Sequence, residues 1–244
     1  QTNFQLATYA LAELFTRKDE AEIAELRKAG QAIDAVHAQV PKLLQPGRTE
    51  AEVAQELEEL ILQEHTVIDF VIVGSGPNGA NPHHSFSDRG LAEGEPVVVD
   101  IGGTLPSGYH SDCTRTYVVG GDISKAPQDF QDAYAVLADT QAAARAAAHP
   151  GSIAAEIDAI TRKAIAAAGW GDNFVHRTGH GIGLSTHEEP FIMEGNDLTL
   201  EEGMAFSIEP GIYVEGKWGM RLEDIVVLTS DGYESLNLAP REVR

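Results

Sequence analysis

LAEGEPVVVDIG at residues 91–102 and LEEGMAFSIEPG at residues 200–211 are two versions of one pattern, at an offset of 109 residues. Each has a glycine at its fourth place, then a short apolar run, an acidic residue and a second glycine. The acidic residues, Asp100 and Glu209, therefore lie at equivalent points of two predicted strands. Chance explains such a recurrence poorly, so the pattern predicts a chain of two halves with like construction.

The segments before these strands repeat at an offset of 104 residues. Residues 19–44 have apolar residues at helical spacing, Pro46-Gly47 breaks the pattern, and Thr49 with Glu52 predicts a capping box that opens a second helix. The same pattern, helical apolar spacing followed by a Pro-Gly break, recurs from Phe130 to Pro150-Gly151. Each half is therefore predicted to be a helix pair that leads into strands. The apolar stripes are Ile23, Leu26, Ile33, Val36, Val40 and Leu43 in the first helix, and Val53, Leu57, Leu60 and Ile61 in the second.

Other residues recur at similar offsets. Residues 69–71 correspond to 173–175 and His83 to His187 at 104, while Asp112 corresponds to Glu223 at 111. A period this long indicates a duplicated fold rather than a solenoid. The two halves are expected to face each other across one site.

VIDFVIVGSGPNGA contains Gly74, Gly76 and Gly79 in the spacing G-x-G-x-x-G. A dinucleotide site requires this pattern to open a helix whose N-terminus holds the pyrophosphate. The following residues, 80–96, are rich in proline and glycine and leave no room for such a helix. The segment is predicted to be a turn between strands, and dinucleotide binding is rejected.

Asp100, Asp112, Glu209 and Glu223 lie among strand-forming apolar residues. Any one of them alone is explained as a turn cap or a solvated acid. Together, four buried acids need compensating positive charge that Arg115 and Arg221 cannot fully supply. Divalent cations satisfy this need, and oxygen ligands favour Mn(II), with Co(II), Fe(II) or Zn(II) as alternatives.

The stretch GHGIGLSTHEEP, residues 179–190, supplies two histidines. His187-Glu188 resembles the start of the zincin motif H-E-x-x-H, but Phe191 stands where the second histidine is needed. His180 lies between two glycines, where the backbone can approach an ion closely. His187 matches His83 and is expected to flank the site, donating to a developing oxyanion. His37, His65 and His149 are interpreted as ordinary polar residues of helices or helix ends.

Composition limits the class of protein. The 244 residues carry 17 basic and 38 acidic side chains, a formal charge of −21 that disfavours nucleic acid and anionic membranes. The single cysteine, Cys113, excludes an internal disulfide and indicates a reducing compartment. No apolar run is long enough to span a membrane. A cytoplasmic protein is expected.

Five motifs occur in the order VVVDIGG, GYHSDCTRTY, HRTGHGIGLSTHEEP, SIEPGIY and GMRLEDIV. Over about residues 19–238 they resemble the pita-bread metallopeptidases, most closely the Xaa-Pro dipeptidases (prolidases) and Xaa-Pro aminopeptidases. The resemblance implies an α+β pita-bread (creatinase/aminopeptidase-like) fold, with two pseudo-symmetric halves of helix pair plus antiparallel-rich sheet around a dinuclear metal site. The implied ligands of two divalent ions, Mn first, are Asp100, Asp112, His180, Glu209 and Glu223.

The resemblance also implies roles. Asp112 and Glu223 would bridge the ions, and Glu209 would also be the general acid/base. His83 and His187 would handle substrate and transition state, and His176 would line the substrate pocket. The residues implied to support the ligands are Thr114, Arg221 and Tyr109.

Two departures from the Xaa-Pro branch bear on function. Residues 1–18 resemble only the tail of a missing N-terminal domain or linker helix, so 19–244 is expected to be the catalytic domain, excised or a one-domain member. Glu209 and Glu223 lie fourteen apart, without the insertion in which prolidases carry an arginine for the substrate carboxylate.

The resemblance implies a metal-dependent exopeptidase that cleaves Xaa-Pro dipeptides or peptides with proline at position two. A methionine aminopeptidase-like exopeptidase and a non-catalytic binding module on the same fold are the alternatives. Creatinases lack the metal ligands, so that resemblance is weaker. The expected partner is a short peptide, and a homodimer is expected of the full-length protein.

Overall fold

Two helix pairs and two antiparallel sheets form the molecule, as the repeated sequence predicts. The structure is a computed structural model that describes residues 8–243. The first half contains α1 (Thr8–Thr16), α2 (Glu20–His37), α3 (Val40–Leu43), α4 (Glu50–Ile61), β1 (Val67–Ser75), β2 (Pro96–Thr104) and β3 (Cys113–Val118). The second contains α5 (Gln128–Ala146), α6 (Ala154–Ala167), β4 (Gly179–Gly181), β5 (Glu188–Ile192), β6 (Ala205–Ile208), β7 (Gly211–Val214), β8 (Trp218–Arg221), β9 (Asp224–Thr229) and β10 (Gly232–Ser235).

The strands form one sheet per half and a hairpin. The first sheet has the order β1-β2-β3, and the second has the order β10-β9-β6-β4-β5. Every pairing given is antiparallel, and β7 and β8 form a separate two-stranded ribbon. The sheets meet where the backbone N–H of Glu223 donates to the carbonyl of Thr114 at 3.2 Å. The α+β class of two antiparallel-rich halves is thereby confirmed.

The two halves share hydrogen bonds at the offsets found in the sequence. Gly47 N donates to Leu91 O at 2.9 Å, and Gly151 N donates to Leu200 O at 2.8 Å. These pairs differ by 104 residues on the donor side and 109 on the acceptor side. The same offsets relate two isolated bridges, Thr49 with Gly90 and Ile153 with Thr199. The duplication therefore extends to the contacts that join each helix pair to its sheet.

Each sheet buries one face against its helices and turns the other toward the site. In the first half, Val99 and Ile101 pack with Leu57 of α4 in one apolar cluster. Asp100 lies between them in β2, and successive strand residues point to opposite faces. Its carboxylate therefore lies on the face that the helices leave uncovered. In the second half, Phe206 packs with Ile157 of α6 in the same manner.

The first predicted helix, residues 19–44, is wrong in its extent. α2 ends at His37, and a separate turn, α3, begins at Val40 with Pro41 near its start. Proline lacks a backbone N–H and clashes with the carbonyl four residues earlier, so an unbroken helix cannot pass this point. The apolar stripe continues across the break because α3 packs in the same core, where Val40 is buried.

The correspondence of residues 69–71 with 173–175 does not extend to their structure. Residues 69–71 lie in β1, whereas Asn173 ends a 3₁₀ turn that begins at Gly171. The chain leaves α6 through Gly169, whose φ of +90° favours glycine. The second half therefore reaches its first strand only at Gly179.

The glycine pattern at residues 74–79 lies at the end of β1, where a 3₁₀ turn of five residues, Gly76–Ala80, follows. The chain then returns through a loop to β2, which pairs antiparallel with β1. No α-helix follows the glycines within this connection. The predicted turn between strands is confirmed, and the geometry for a pyrophosphate is absent from this described segment.

Replacing Thr49 by alanine is expected to lower the free energy of unfolding by about 1 kcal/mol. Its hydroxyl accepts from Glu52 N at 3.1 Å, and the Glu52 carboxylate accepts from Thr49 N at 2.8 Å, which confirms the predicted capping box. Urea titration measures the loss. Thr49→Ser keeps the hydroxyl and is the control; equal destabilisation by both variants would contradict the capping role.

Candidate metal centre

The uncovered faces of the two sheets line one cavity of about 1010 Å³. Side chains from both halves lie on its wall, so the structure brings the predicted ligands together in one place. The three predicted non-ligand histidines lie on the same wall. The sequence-predicted residues that line the cavity are Asp100, Asp112, His180, Glu209, Glu223, His83, His176, His187 and Arg221.

The first half contributes Asp100 and Asp112. Asp100 lies opposite Thr114 in the β2–β3 ladder, and Asp112 directly precedes β3. Because alternate residues of a strand share a face, Asp112 and Thr114 point to the same side as Asp100. Both carboxylates are buried, with exposed fractions of 8% and 4%.

His180 and Glu209 come from adjacent parts of the second sheet. The backbone N–H of Glu209 donates to the carbonyl of Thr178 at 2.8 Å, which fixes this strand end beside β4. Gly179 and Gly181, which flank His180, were predicted to let the backbone approach an ion, but the structure gives another reason for them. A Cβ at Gly179 would collide with the carbonyl of Ser207, and one at Gly181 with the carbonyl of Glu189. The glycines therefore admit the neighbouring strands rather than an ion.

The imidazole of His180 is oriented toward the carboxylates. Its Nδ1 is 3.1 Å from the carbonyl oxygen of Gly181, a contact that places the hydrogen on this nitrogen. Its Nε2 is 3.1 Å from Glu209 Oε1 and 3.6 Å from Asp112 Oδ2. One ligand atom from each of Asp112, His180 and Glu223 lies within 4.8 Å of the others. These atoms are spaced to share a metal ion.

The four carboxylates of the cluster outnumber the positively charged side chains beside them, Arg221 and His180. Burial first, and then repulsion from neighbouring carboxylates, raises the pKa of Asp112 and of Glu223 well above the ordinary range. Burial also raises the pKa of Asp100, which Arg221 partly opposes. Asp100 Oδ1 and Glu223 Oε1 are buried without a hydrogen-bond partner. These carboxylate oxygens lie close together, some lack hydrogen-bond partners, and their charge is incompletely neutralised. Such a group of oxygens suits the binding of divalent cations.

Glu209 differs from the other acids. Burial raises its pKa, but the charge of His180 and a hydrogen bond to it outweigh that effect and bring the pKa to about 2. Ser207 Oγ also donates to Glu209 Oε1, at 2.9 Å. Glu209 is therefore a carboxylate at neutral pH in the metal-free protein.

Arg221 connects three of the surrounding groups. It donates to Asp100, to Thr114 Oγ1 at 3.0 Å, and to the hydroxyl of Tyr213 at 2.7 Å. Thr114 in turn donates to Glu223 Oε2 at 2.7 Å. The predicted supporting residues Thr114 and Arg221 thus touch the predicted ligands Glu223 and Asp100 directly, while Tyr213 is a contact that the sequence reasoning missed.

Two of the non-ligand histidines have defined surroundings. The ring of His187 lies 4.1 Å from that of His180, at 73°. Burial, followed by the charges of His180 and Arg177, lowers the pKa of His187 to about 4, so its imidazole is neutral at pH 7. His176 Nε2 lies 2.9 Å from the Tyr213 hydroxyl, and burial lowers its pKa as well. Neutral imidazoles can each donate one hydrogen bond.

The loop that carries His83 is anchored by a buried carboxylate. Glu50 of α4 accepts hydrogen bonds from Ser75, Asn78, His84 and Ser87. His84, next to His83, is thereby fixed at 2.9 Å from Glu50 Oε2. This anchoring residue was also missed, because its partners lie 25 to 37 positions away in the sequence.

Tyr109, the third predicted supporting residue, lies outside the site, as do the acids and histidines to which the sequence assigned no role there. The hydroxyl of Tyr109 donates to Glu22 Oε1 at 2.8 Å, and the residue does not line the cavity, so the structure does not bring it to the ligands. Glu188 pairs with Lys18, and Glu189 accepts from the backbone of Phe191. His37 and His65 bond to polar groups of the core, and His149 bonds to the carbonyl of Pro150.

Comparison with known proteins gives one consistent result. The model of the metallopeptidase family M24 matches residues 24–230. The chain is 57% identical over 239 residues to the probable dipeptidase PepE of Mycobacterium tuberculosis, covering 98% of this chain and 63% of that protein. It is 42% identical to the Xaa-Pro dipeptidase of Lactobacillus delbrueckii subsp. lactis, covering 96% of this chain and 63% of that protein. The chain thus spans less than two thirds of these relatives.

Solved structures agree. The dipeptidase PepE from Mycobacterium ulcerans superimposes with a TM-score of 0.94 at 55% identity, covering 98% of this chain and 63% of that one. The prolidase from Pyrococcus furiosus gives a TM-score of 0.91 at 35% identity, covering 98% and 69%. The chain therefore belongs to metallopeptidase family M24, and it has the pita-bread fold of the prolidases in that family.

Proposed function

We propose that the protein hydrolyses the first peptide bond of short peptides with proline in second position, Xaa-Pro dipeptides among them. One observation carries this proposal: five ligand-type side chains and three further histidines line a single cavity between the two halves. The proline preference is supported by the relatives named Xaa-Pro dipeptidase and prolidase.

Two divalent ions, Mn²⁺ in the first place, are proposed to bind the five ligands, Asp100, Asp112, His180, Glu209 and Glu223. Such ions would polarise a carbonyl oxygen and lower the pKa of water. The orphaned oxygens of Asp100 and Glu223 would gain a partner on binding. Arg221 would keep Asp100 in place through its guanidinium, which also touches Thr114 and Tyr213.

Glu209 is the proposed general acid/base. It is ionised at neutral pH and lies on the cavity wall, with Ser207 and His180 on its Oε1. It would accept a proton from the attacking water and pass it to the leaving nitrogen. Proton transfer by a carboxylate requires that it remain within hydrogen-bond reach of both groups.

The histidines are proposed to act on the substrate. His187 is neutral, so it can donate a hydrogen bond to the oxygen on which negative charge develops. His83, from the other half, would assist the leaving nitrogen, and His176 would line the substrate pocket. The apolar side chains on the same wall, Phe70, Ile72, Phe86 and Met193, offer a surface for the proline ring.

The Mn²⁺-loaded protein is expected to cleave Ala-Pro, Gly-Pro or Ala-Pro-Ala, and to leave Met-Ala unchanged. Chelation should abolish turnover, and added Mn²⁺ should restore it, because the carboxylates are the proposed metal ligands. Chromatographic quantification of released amino acids measures both effects. Cleavage of Met-Ala in preference to the proline peptides would favour the methionine aminopeptidase alternative. Turnover that survives chelation would exclude the metal mechanism, and no turnover with any metal would favour a binding module.

Location and assembly stay predictions. Within residues 8–243 no helix is long and apolar enough to cross a membrane. A cytoplasmic location and a homodimer of the full-length protein are proposed, and gel filtration with light scattering measures the assembly. The division into residues 1–18 and a catalytic domain 19–244 likewise stays a prediction; residues 1–7 lie outside the described residues.

A further inference from the structure

Arg177 is a positively charged residue on the cavity wall. The residue is half-buried, and its Nε is buried without a hydrogen-bond partner. Between residues 8 and 243 its guanidinium makes no ion pair within 4.0 Å. The other arginine on this wall, Arg221, is committed to Asp100, Thr114 and Tyr213. Arg177 is thus the arginine of the cavity that remains available.

The backbone of Arg177 is held firmly. Its carbonyl is 2.6 Å from His176 Nδ1, and the next residue, Thr178, donates from both its N–H and its hydroxyl to the buried Asp158. Arg162 Nη2 donates to the carbonyl of His176 at 3.1 Å. An anchored backbone limits the positions that the side chain can reach.

The guanidinium is stacked rather than paired. Its central carbon lies 4.9 Å from the centroid of the Phe191 ring. A cation–π contact of this kind does not use the guanidinium N–H groups for an ion pair, so they can donate to a planar acceptor. A carboxylate fits that edge with two parallel hydrogen bonds.

Arg177 lies close to the proposed reacting centre. It lies on the wall of the cavity that also contains His180 and His187. Neighbouring residues of an extended peptide are about 3.5 Å apart. A carboxylate one residue from the scissile bond would therefore lie in the same cavity as Arg177.

We propose that Arg177 binds a carboxylate of the peptide substrate and selects for substrates that present one. The proposal rests on the proposed function and deepens it. Two sources offer the same chemistry: the C-terminal carboxylate of a dipeptide, and the side chain of an acidic first residue. Arg177 is a specificity-determining residue in either case, and the structure supplies this guanidinium on the segment before β4, without an insertion between Glu209 and Glu223.

Two matched substrate pairs test the proposal. Ala-Pro and Ala-Pro-amide differ in the terminal carboxylate, and Asp-Pro and Asn-Pro differ in the side-chain carboxylate. The Mn²⁺-loaded wild type is expected to have a kcat/KM at least tenfold higher for the carboxylate member of one pair. Arg177→Met should bring that ratio near one, and Arg177→Lys should retain part of it, because lysine keeps the charge but loses the fork. The pair that responds identifies the source.

Arg27→Met is the control, since Arg27 pairs with Glu234 outside the cavity and should leave both ratios as in the wild type. Thermal unfolding shows whether each variant is folded. If Arg177→Met does not fold, the ratios of Arg177→Lys are used to test the proposal. If the wild type is active but neither Arg177 variant changes the kcat/KM ratio of either substrate pair, the proposed role of Arg177 is wrong, whereas the proposed function stands. If the wild type cleaves no peptide, the proposed function fails; calorimetric binding of the same pairs to wild type and Arg177→Met then decides the role of Arg177.

Discussion

Glu209→Gln lowers kcat for Ala-Pro by about a thousandfold, the expected result of removing a general acid/base. Glutamine keeps the size of the side chain and its hydrogen bond from Ser207, but it cannot accept the proton. In the metal-free protein the pKa of Glu209 is about 2, because the charge of His180 and the hydrogen bond to it outweigh the effect of burial. The loss in kcat is expected at both pH 6 and pH 8, because glutamine cannot take up the proton at either pH. Steady-state kinetics at saturating Mn²⁺ measures it.

The control for this variant is Glu189→Gln. Glu189 is exposed, stands beside the site in sequence and accepts only from the backbone of Phe191 among the bonds described. Its replacement should leave kcat within twofold. Metal content of each variant, measured by elemental analysis, separates lost proton transfer from lost metal. Full activity of Glu209→Gln on every peptide would rule out its assignment as the general acid/base.

The positions of the proposed ligands were predictable because carboxylates are unfavourable among apolar strand residues. Asp100 and Glu209 interrupt apolar strand segments at equivalent places of a duplicated pattern. The negative charge of a buried carboxylate needs a compensating positive charge. Two such carboxylates at duplicated positions indicate that they share one source of positive charge. The structure places both on one cavity wall.

The supporting contacts were less accessible to sequence reasoning. Ser207 lies two residues before Glu209 on the same strand face, so strand periodicity gave a signal that was not used. Tyr213 reaches Arg221 across the β7–β8 ribbon, where its backbone neighbour is Gly219. That pairing depends on a hairpin register, which the residues around Glu209 do not specify. The anchoring role of Glu50 depends on hydrogen bonds from four residues of a separate segment, so it could not be predicted from the residues around Glu50.

Tyr109 shows how proximity in sequence misleads. It is three residues before Asp112 within the motif GYHSDCTRTY, yet its hydroxyl contacts Glu22 of α2. The turn before it contains Gly108 at a φ of +88°, and the chain reverses there before entering β3. A motif defines the order of residues, whereas the turn decides which of them face the cavity.

Asp224→Asn is expected to lower the free energy of unfolding by about 3–5 kcal/mol. Asp224 is fully buried, and its carboxylate accepts from Arg115 at 2.8 Å, Arg241 at 2.7 Å and Gln141 at 2.7 Å. Arg115 is itself 2% exposed. Removing the negative charge leaves this guanidinium buried without its partner, which is the costly way to break a buried ion pair. Urea titration of the metal-free protein measures the loss.

Glu223→Gln, at the preceding position, is expected to have the opposite effect on the metal-free protein. The raised pKa of Glu223 means that its ionised form is unfavourable in the fold, through burial first and then repulsion by Glu209 and Asp100. A group of this kind destabilises the fold once the pH exceeds its unfolded pKa, so a neutral glutamine should leave stability equal or higher at pH 7. The same variant should lose metal affinity and turnover. The two adjacent buried acids therefore differ. The negative charge of Asp224 is balanced by Arg115 within the protein, whereas that of Glu223 requires a cation from outside the protein. Equal destabilisation by both variants would contradict this distinction.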